Sequence, residues 1–198
     1  MPSTLNLLVM DVGNTRTQIG RVLNTSIDET ATFGNEDTSG IVDRIVEWWT
    51  GLPEDTPKAV LMASVNDPIA DGLASMLQDQ LSEEIYRLGD DIPVPIAEDL
   101  DPETLTGVDR LLNAVAAYDA VQQACVIVDA GSAVTVDFID GKGTFHGGAI
   151  APGARMQLQA LSEHTDALPD LEFSIPLEGQ FGKSTGQAML QGVFYGIR

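Results

Sequence analysis

Lysine is nearly missing from this sequence: Lys58, Lys142 and Lys183 stand against nineteen aspartates, and the formal net charge of the 198 residues is −20. A nucleic-acid surface needs clustered Lys and Arg to displace phosphate counterions, so no nucleic-acid partner is expected. Cysteine is limited to Cys125, which rules out an intrachain disulfide or a multi-cysteine metal site. Its apolar run, Cys125-Val126-Ile127-Val128, reads as a strand with a buried thiol. The two histidines, His146 and His164, have no paired ligand at metal spacing. No apolar run approaches the roughly 20 residues that span a bilayer. Met1-Pro2-Ser3-Thr4-Leu5 lacks the basic segment of a signal peptide, so a cytoplasmic chain without a membrane partner is expected.

The acidity fits two surfaces. One is salt-adapted, with dense carboxylates screened at high ionic strength; the other is merely acidic and soluble. On either, an anionic nucleotide needs a metal ion and local backbone donors.

Hydrophobic spacing supplies the elements. Residues 7–10 form a short apolar run stopped by Gly13 and Asn14, as a buried strand is, and residues 17–23 return as a second strand. Ile41, Val42, Ile45, Val46, Trp48 and Trp49 recur at helical spacing. Residues 59–65 read as a strand, and 68–81 as a helix with Pro68 near its start. The acidic stretch 90–105, with Pro93, Pro95 and Pro102, reads as a loop at a lobe boundary. Residues 107–123 suit a long helix, 124–130 and 134–139 strands, and 152–161 and 185 onward helices. The expected organisation is a lobe over 1–105 followed by a second over 106–198.

Two strand ends match in kind. Residues 7–15 end in Asp11-Val12-Gly13-Asn14-Thr15, and residues 126–132 end in Asp129-Ala130-Gly131-Ser132. Each is an apolar strand, Asp-x-Gly, a small polar residue, then another strand. Internal duplication of one supersecondary unit would produce the pair. Such turns expose backbone N–H groups for phosphate oxygens beside a carboxylate able to hold hydrated magnesium. Two of them would clamp a polyphosphate, as phosphoryl transfer requires. A P-loop is not present: Gly182-Lys183-Ser184-Thr185 imitates its end, but Leu177 stands where its first glycine belongs. No Gly-x-Gly-x-x-Gly follows the first strand, which disfavours a dinucleotide fold.

Five blocks then occur in one order: Asp11-Val12-Gly13-Asn14-Thr15, Gly107-Val108-Asp109-Arg110, residues 129–135 (Asp-Ala-Gly-Ser-Ala-Val-Thr), residues 147–153 (Gly-Gly-Ala-Ile-Ala-Pro-Gly) and Gly182-Lys183-Ser184-Thr185. In order and spacing they resemble the type III pantothenate kinase family. The resemblance implies an α/β, ribonuclease-H-like (actin-like) fold of duplicated lobes with mixed, five-stranded-type sheets. It also implies a homodimer that phosphorylates pantothenate with Mg2+-ATP and a monovalent cation, K+ or NH4+. On this pattern Asp11, Val12, Gly13, Asn14, Thr15, Arg16, Thr17 and Gln18 surround the ATP phosphates, with Asp11 reaching Mg2+ through water. Ser132 touches ATP. Asp109 is the general base, and Gly107, Val108 and Arg110 line pantothenate, Arg110 pairing with its carboxylate. Asp129 binds the monovalent cation, and Thr185 meets substrate across the dimer.

Each block also has a plainer reading. Asp109-Arg110 could be a solvated pair suited to a helix start. Asp129 could shape a turn, Asp137 could be a structural carboxylate, and the 147–153 glycines could only set a tight connection. The resemblance departs at three places. Serine stands at 132 where the family has threonine, and Glu98-Asp99-Leu100-Asp101 lacks the family's substrate-side tyrosine before Pro102. Family members also continue past Gly192 and Gly196, which would leave the second sheet short and one apolar face partly open. Two other functions therefore stand beside the kinase: a ligand-binding transcription accessory factor, or a kinase of another small hydroxy acid.

Overall fold

The computed structural model describes residues 5–176 and 181–197; Leu177 lies outside them. The chain forms two compact units. One comprises the residues up to Ile96 together with Glu103–Val115, the other Ala97–Pro102 together with the residues from Ala116 on.

The first unit opens with β1 (Asn6–Val12), β2 (Arg16–Leu23) and β3 (Ser26–Gly34), followed by α1 (Thr38–Gly51), β4 (Lys58–Ser64), α2 (Asp67–Leu81) and β5 (Ile85–Arg87). The strand order is β3-β2-β1-β4-β5. β1 pairs antiparallel with β2 and parallel with β4, so its backbone is bonded on both edges. Alternation puts Leu8, Met10 and Val12 into the core, where they join Val60 and Met62. α1 contributes Ile41, Ile45 and Trp48 at helical spacing, and α2 contributes Ala70, Leu73 and Leu77. Asp37 caps α1 by accepting from Gly40 N at 3.0 Å, and Pro68 occupies the first turn of α2.

The second unit carries β6 (Ala97–Glu98), the end of α3 (Val108–Val121), β7 (Cys125–Ala130), β8 (Ala133–Ile139), β9 (Thr144–Pro152), α4 (Ala154–Glu163) and α5 (Thr185–Ile197). Its sheet has four strands among the described residues, in the order β6-β9-β8-β7. β7, β8 and β9 repeat the antiparallel meander of β1, β2 and β3. This is the ribonuclease-H-like plan with its first half used twice.

Ile139 and Phe145 are fully buried, and Leu158 packs with Met189 and Val193 between α4 and α5. The opposite face of β7 and β8 is open. Val126 lies across from Phe138 and Val128 across from Val136, and all four are exposed. Cys125 is half-buried rather than buried.

Between β8 and β9 the register slips. Asp137 faces Gly148 but Ile139 faces Phe145, so His146 and Gly147 together oppose Phe138. Gly147 takes φ +75°, the left-handed region open to glycine, and the pair forms a β-bulge.

Candidate active site

The first phosphate-type turn is the β1–β2 hairpin. Gly13 N donates to Arg16 O at 3.0 Å, leaving Asn14 and Thr15 at the tip. Asp11, Asn14, Thr15, Arg16 and Gln18 are exposed, whereas Val12 and Thr17 are buried. Thr17 therefore supports the hairpin from beneath. Its hydroxyl donates to Asn35 Oδ1 at 2.9 Å, and Asn35 Nδ2 donates to Gly13 O at 2.8 Å. Asn35 N also donates to Thr15 O at 3.2 Å, so one side chain and one amide fix three points of the turn.

Sequence reasoning missed Asn35, because it lies after β3, outside every matching block. Its only signal was an amide residue next to Gly34. Asn35→Ala should loosen the hairpin, destabilising the first unit by about 2 kcal/mol and speeding exchange of the Gly13 amide, since two net hydrogen bonds of about 1 kcal/mol each are lost. A thermal melt beside hydrogen exchange would check it.

The second turn is tighter. Gly131 N donates to Ala133 O at 2.9 Å around Ser132, which is exposed, as is Asp129 at the end of β7. Gly153 N donates to Ser132 O at 3.0 Å, and a Cβ at 153 would come 2.5 Å from that same oxygen. The glycine is thus required by close backbone approach, and it explains why the 147–153 block ends as it does.

The third group sits at the start of α3. Arg110 N donates both to Gly107 O at 3.1 Å and to Asp109 Oδ1 at 2.8 Å. A Cβ on Gly107 would stand 2.6 Å from Asp109 Oδ1, so the glycine gives that carboxylate its place. Asp109 and Arg110 are half-exposed. Beside them, the Thr106 hydroxyl is buried without a hydrogen-bond partner. That residue too was missed, for it precedes the block by one position.

Thr185 is exposed at the start of α5. Ser184 Oγ accepts from Gln187 N at 3.2 Å, and Gln187 and Gln191 accept from Lys183 N (3.0 Å) and Gly182 N (2.6 Å). Those N–H groups serve the helix cap, unlike the phosphate-facing amides of a P-loop.

Each functional block is therefore local: residues 11–18 share one hairpin, 107–110 one helix start, and Asp129 and Ser132 one turn. Among the described residues no group of three His, Cys, Asp or Glu is placed to cage a metal ion. Magnesium carried on nucleotide phosphates needs no such cage. One exposed carboxylate acting through water, as Asp11 offers, fits it.

Asp140, in the β8–β9 turn, has its carboxyl held down at about 2, chiefly because Thr144 N and Lys142 N donate to it, with His146 adding to the effect. Folding lowers this group below its ordinary value. Its stabilising contribution is complete above about pH 4 and disappears as pH falls toward 2.

A chain with two Asp-x-Gly hairpins on duplicated ribonuclease-H-like sheets falls in the class of actin-like phosphoryl-transfer proteins. The family model described as type III pantothenate kinase matches residues 7–198. Relatives of that name are 31% identical in Syntrophotalea carbinolica and 34% identical in Myxococcus xanthus, each alignment covering 96% of this chain and 76% of the relative. A Campylobacter jejuni crystal structure named for the Baf family of transcriptional activators superposes with a TM-score of 0.56 at 24% identity, over 96% of this chain and 75% of its own. That likeness concerns the fold alone. The chain belongs to the type III pantothenate kinase family.

Proposed function

We propose that this chain catalyses ATP-dependent phosphorylation of pantothenate at its primary hydroxyl, the first step of coenzyme A biosynthesis. The observation that carries this reading is Asp109, held at the start of α3 beside Gly107 and Arg110 in a chain of this family. Its carboxylate keeps one oxygen on Arg110 N, and the other is the natural acceptor for the hydroxyl proton. Arg110 offers a planar pair of donors to the pantothenate carboxylate. Val108 and Gly107 form the wall beside it.

On the first unit, the exposed tip of the β1–β2 hairpin would receive the ATP phosphates. Asn14 and Thr15 at the tip supply backbone and side-chain donors, Arg16 a cation and Gln18 an amide, while Gly13, bonded to Arg16 O, and buried Val12 and Thr17 hold the shape. Asp11 would hold Mg2+ through water, and that ion neutralises phosphate charge when bound. Asp129 would hold K+ or NH4+, and the Ser132 hydroxyl would meet ATP. Thr185 would reach pantothenate across a homodimer, in the cytoplasm.

The test is pantothenate-dependent release of ADP by the purified chain with magnesium, with and without potassium. Release that requires both pantothenate and potassium is the expected result. ADP release indifferent to pantothenate, or its replacement by turnover of another hydroxy acid, would sink the assignment.

A further inference from the structure

Val12 ends β1, and its carbonyl accepts from Val65 N at 3.1 Å just past the end of β4. Val65 is thus tied to the strand that carries Asp11 into the β1–β2 hairpin. Its own freedom is small. Before it, β4 runs in register with β1 as far as the Val12 and Ser64 pair. After it, Asn66 N donates to Ser64 Oγ at 2.9 Å, and Asn66 O accepts from Ala70 N at 3.0 Å in the first turn of α2. A β-branched side chain on so fixed a backbone has few rotamers open to it.

That side chain meets the start of α3, which belongs to the same unit. A Cβ on Gly107 would stand 3.6 Å from Val65 Cγ1, at van der Waals contact, and 2.6 Å from Asp109 Oδ1. The following residue is supported too. Val108 Cγ2 lies 3.6 Å from where a Cβ on Gly89 would be, and Gly89 takes φ +98° in a turn where its N–H donates to Ile92 O at 2.8 Å. Leu88 N donates to Met62 O at 2.9 Å, which ties that turn back to β4. The first turn of α3 therefore rests on the carboxyl ends of β4 and β5, strands parallel to β1. Ligands of open α/β sheets gather at such ends.

We infer that Val65 is a positioning residue: its backbone is fixed to the hairpin strand, its side chain backs Gly107, and together they set where the Asp109 carboxylate stands relative to the hairpin. The inference rests on the reading that the hairpin holds the ATP phosphates and that Asp109 takes the hydroxyl proton. Val65 touches none of the reacting atoms and acts through Gly107 and Asp109. Without its methyl groups Gly107 is free to retreat, and Asp109 Oδ1, bonded to Arg110 N, goes with it. A displacement of about 1 Å at such a group costs up to about a hundredfold in rate. Val65 is half-buried, so shortening it spares the deep core, and the backbone bond to Val12 survives.

The experiment compares Val65→Ala and Val65→Thr in the full chain, each with Asp109 and with Asp109→Asn. It measures kcat, both KM values and exchange of the Arg110 amide, which donates to Gly107 O and to Asp109 Oδ1. Val65→Ala should lower kcat about tenfold, change the KM for ATP less than about twofold, and speed Arg110 exchange. Val65→Thr keeps the branched shape and should recover most of the rate. In the Asp109→Asn background Val65→Ala should change the rate less than about twofold, because no base remains to be misplaced. Parental Arg110 exchange in Val65→Ala would overturn the seat. An equal loss of rate in both backgrounds would overturn the positioning role and leave Val65 as packing. A parent chain without pantothenate turnover defeats the functional reading and the positioning role with it, and Arg110 exchange then decides the seat alone.

Discussion

Asp109→Asn lowers kcat for pantothenate phosphorylation by about a hundredfold to ten-thousandfold, the range of a lost general base. The amide can still accept from Arg110 N, so the start of α3 keeps its geometry. What disappears is the ability to take a proton. The loss should therefore fall on kcat, with the KM for pantothenate little changed. Steady-state rates beside a thermal melt would separate this from unfolding: a half-exposed side chain at a helix start should move the melt little. Retained turnover would remove Asp109 from the chemistry and leave it as a helix-start carboxylate. Gly107→Ala offers an independent approach to the same atoms. Its new methyl would contest the position of Asp109 Oδ1, and activity should fall although every polar group remains.

The second large effect concerns stability. Phe145→Ala should destabilise the second unit by about 3–5 kcal/mol, as expected for a fully buried aromatic ring that leaves a cavity. The two units are unequally provided. Among the described residues the first has a continuous core from β1 through α1, β4 and α2, whereas the second buries Ile139, Phe145 and the Leu158, Met189 and Val193 cluster while exposing Val126 and Val128. Removing one ring from so small a store of buried surface matters more there. Hydrogen exchange should show β7, β8 and β9 losing protection while β1 and β4 keep theirs. A uniform loss across both sheets would mean that the units unfold as one.

The elements legible in the sequence were those with strong periodicity. β1 and β4 are bonded on both edges, so they must be apolar runs, and α1 and α2 each carry a stripe that packs on them. β3 escaped notice because its residues, Ser26 to Gly34, are mostly exposed at the edge of the sheet, and only Ala31 and Phe33 reach the core, too short a run to signal alternation. β9 was hidden by its glycines and proline, which read as a tight connection although they serve as a strand interior. β6 is two residues long and is held by pairing that no local propensity signals. At the site, the Asp-x-Gly hairpins were visible because turn geometry constrains residue type. Asn35 and Thr106 were not, since their importance lies in partners far along the chain or in the lack of one.

The bulge at His146 and Gly147 acts as a change of phase in β9. Strand residues alternate sides, so Phe145 and Gly148, three apart, can stand opposite Ile139 and Asp137, two apart on one face of β8, only because one residue is counted out between them. Deleting Gly147 would restore plain alternation and turn every side chain on one flank of the deletion to the wrong face. Either Phe145 would swing outward, or the Gly148–Gly153 run would lose the approach by which Gly153 seats the Ser132 turn. A single inserted residue thus keeps two messages in step along one strand, one for the core and one for the Ser132 turn.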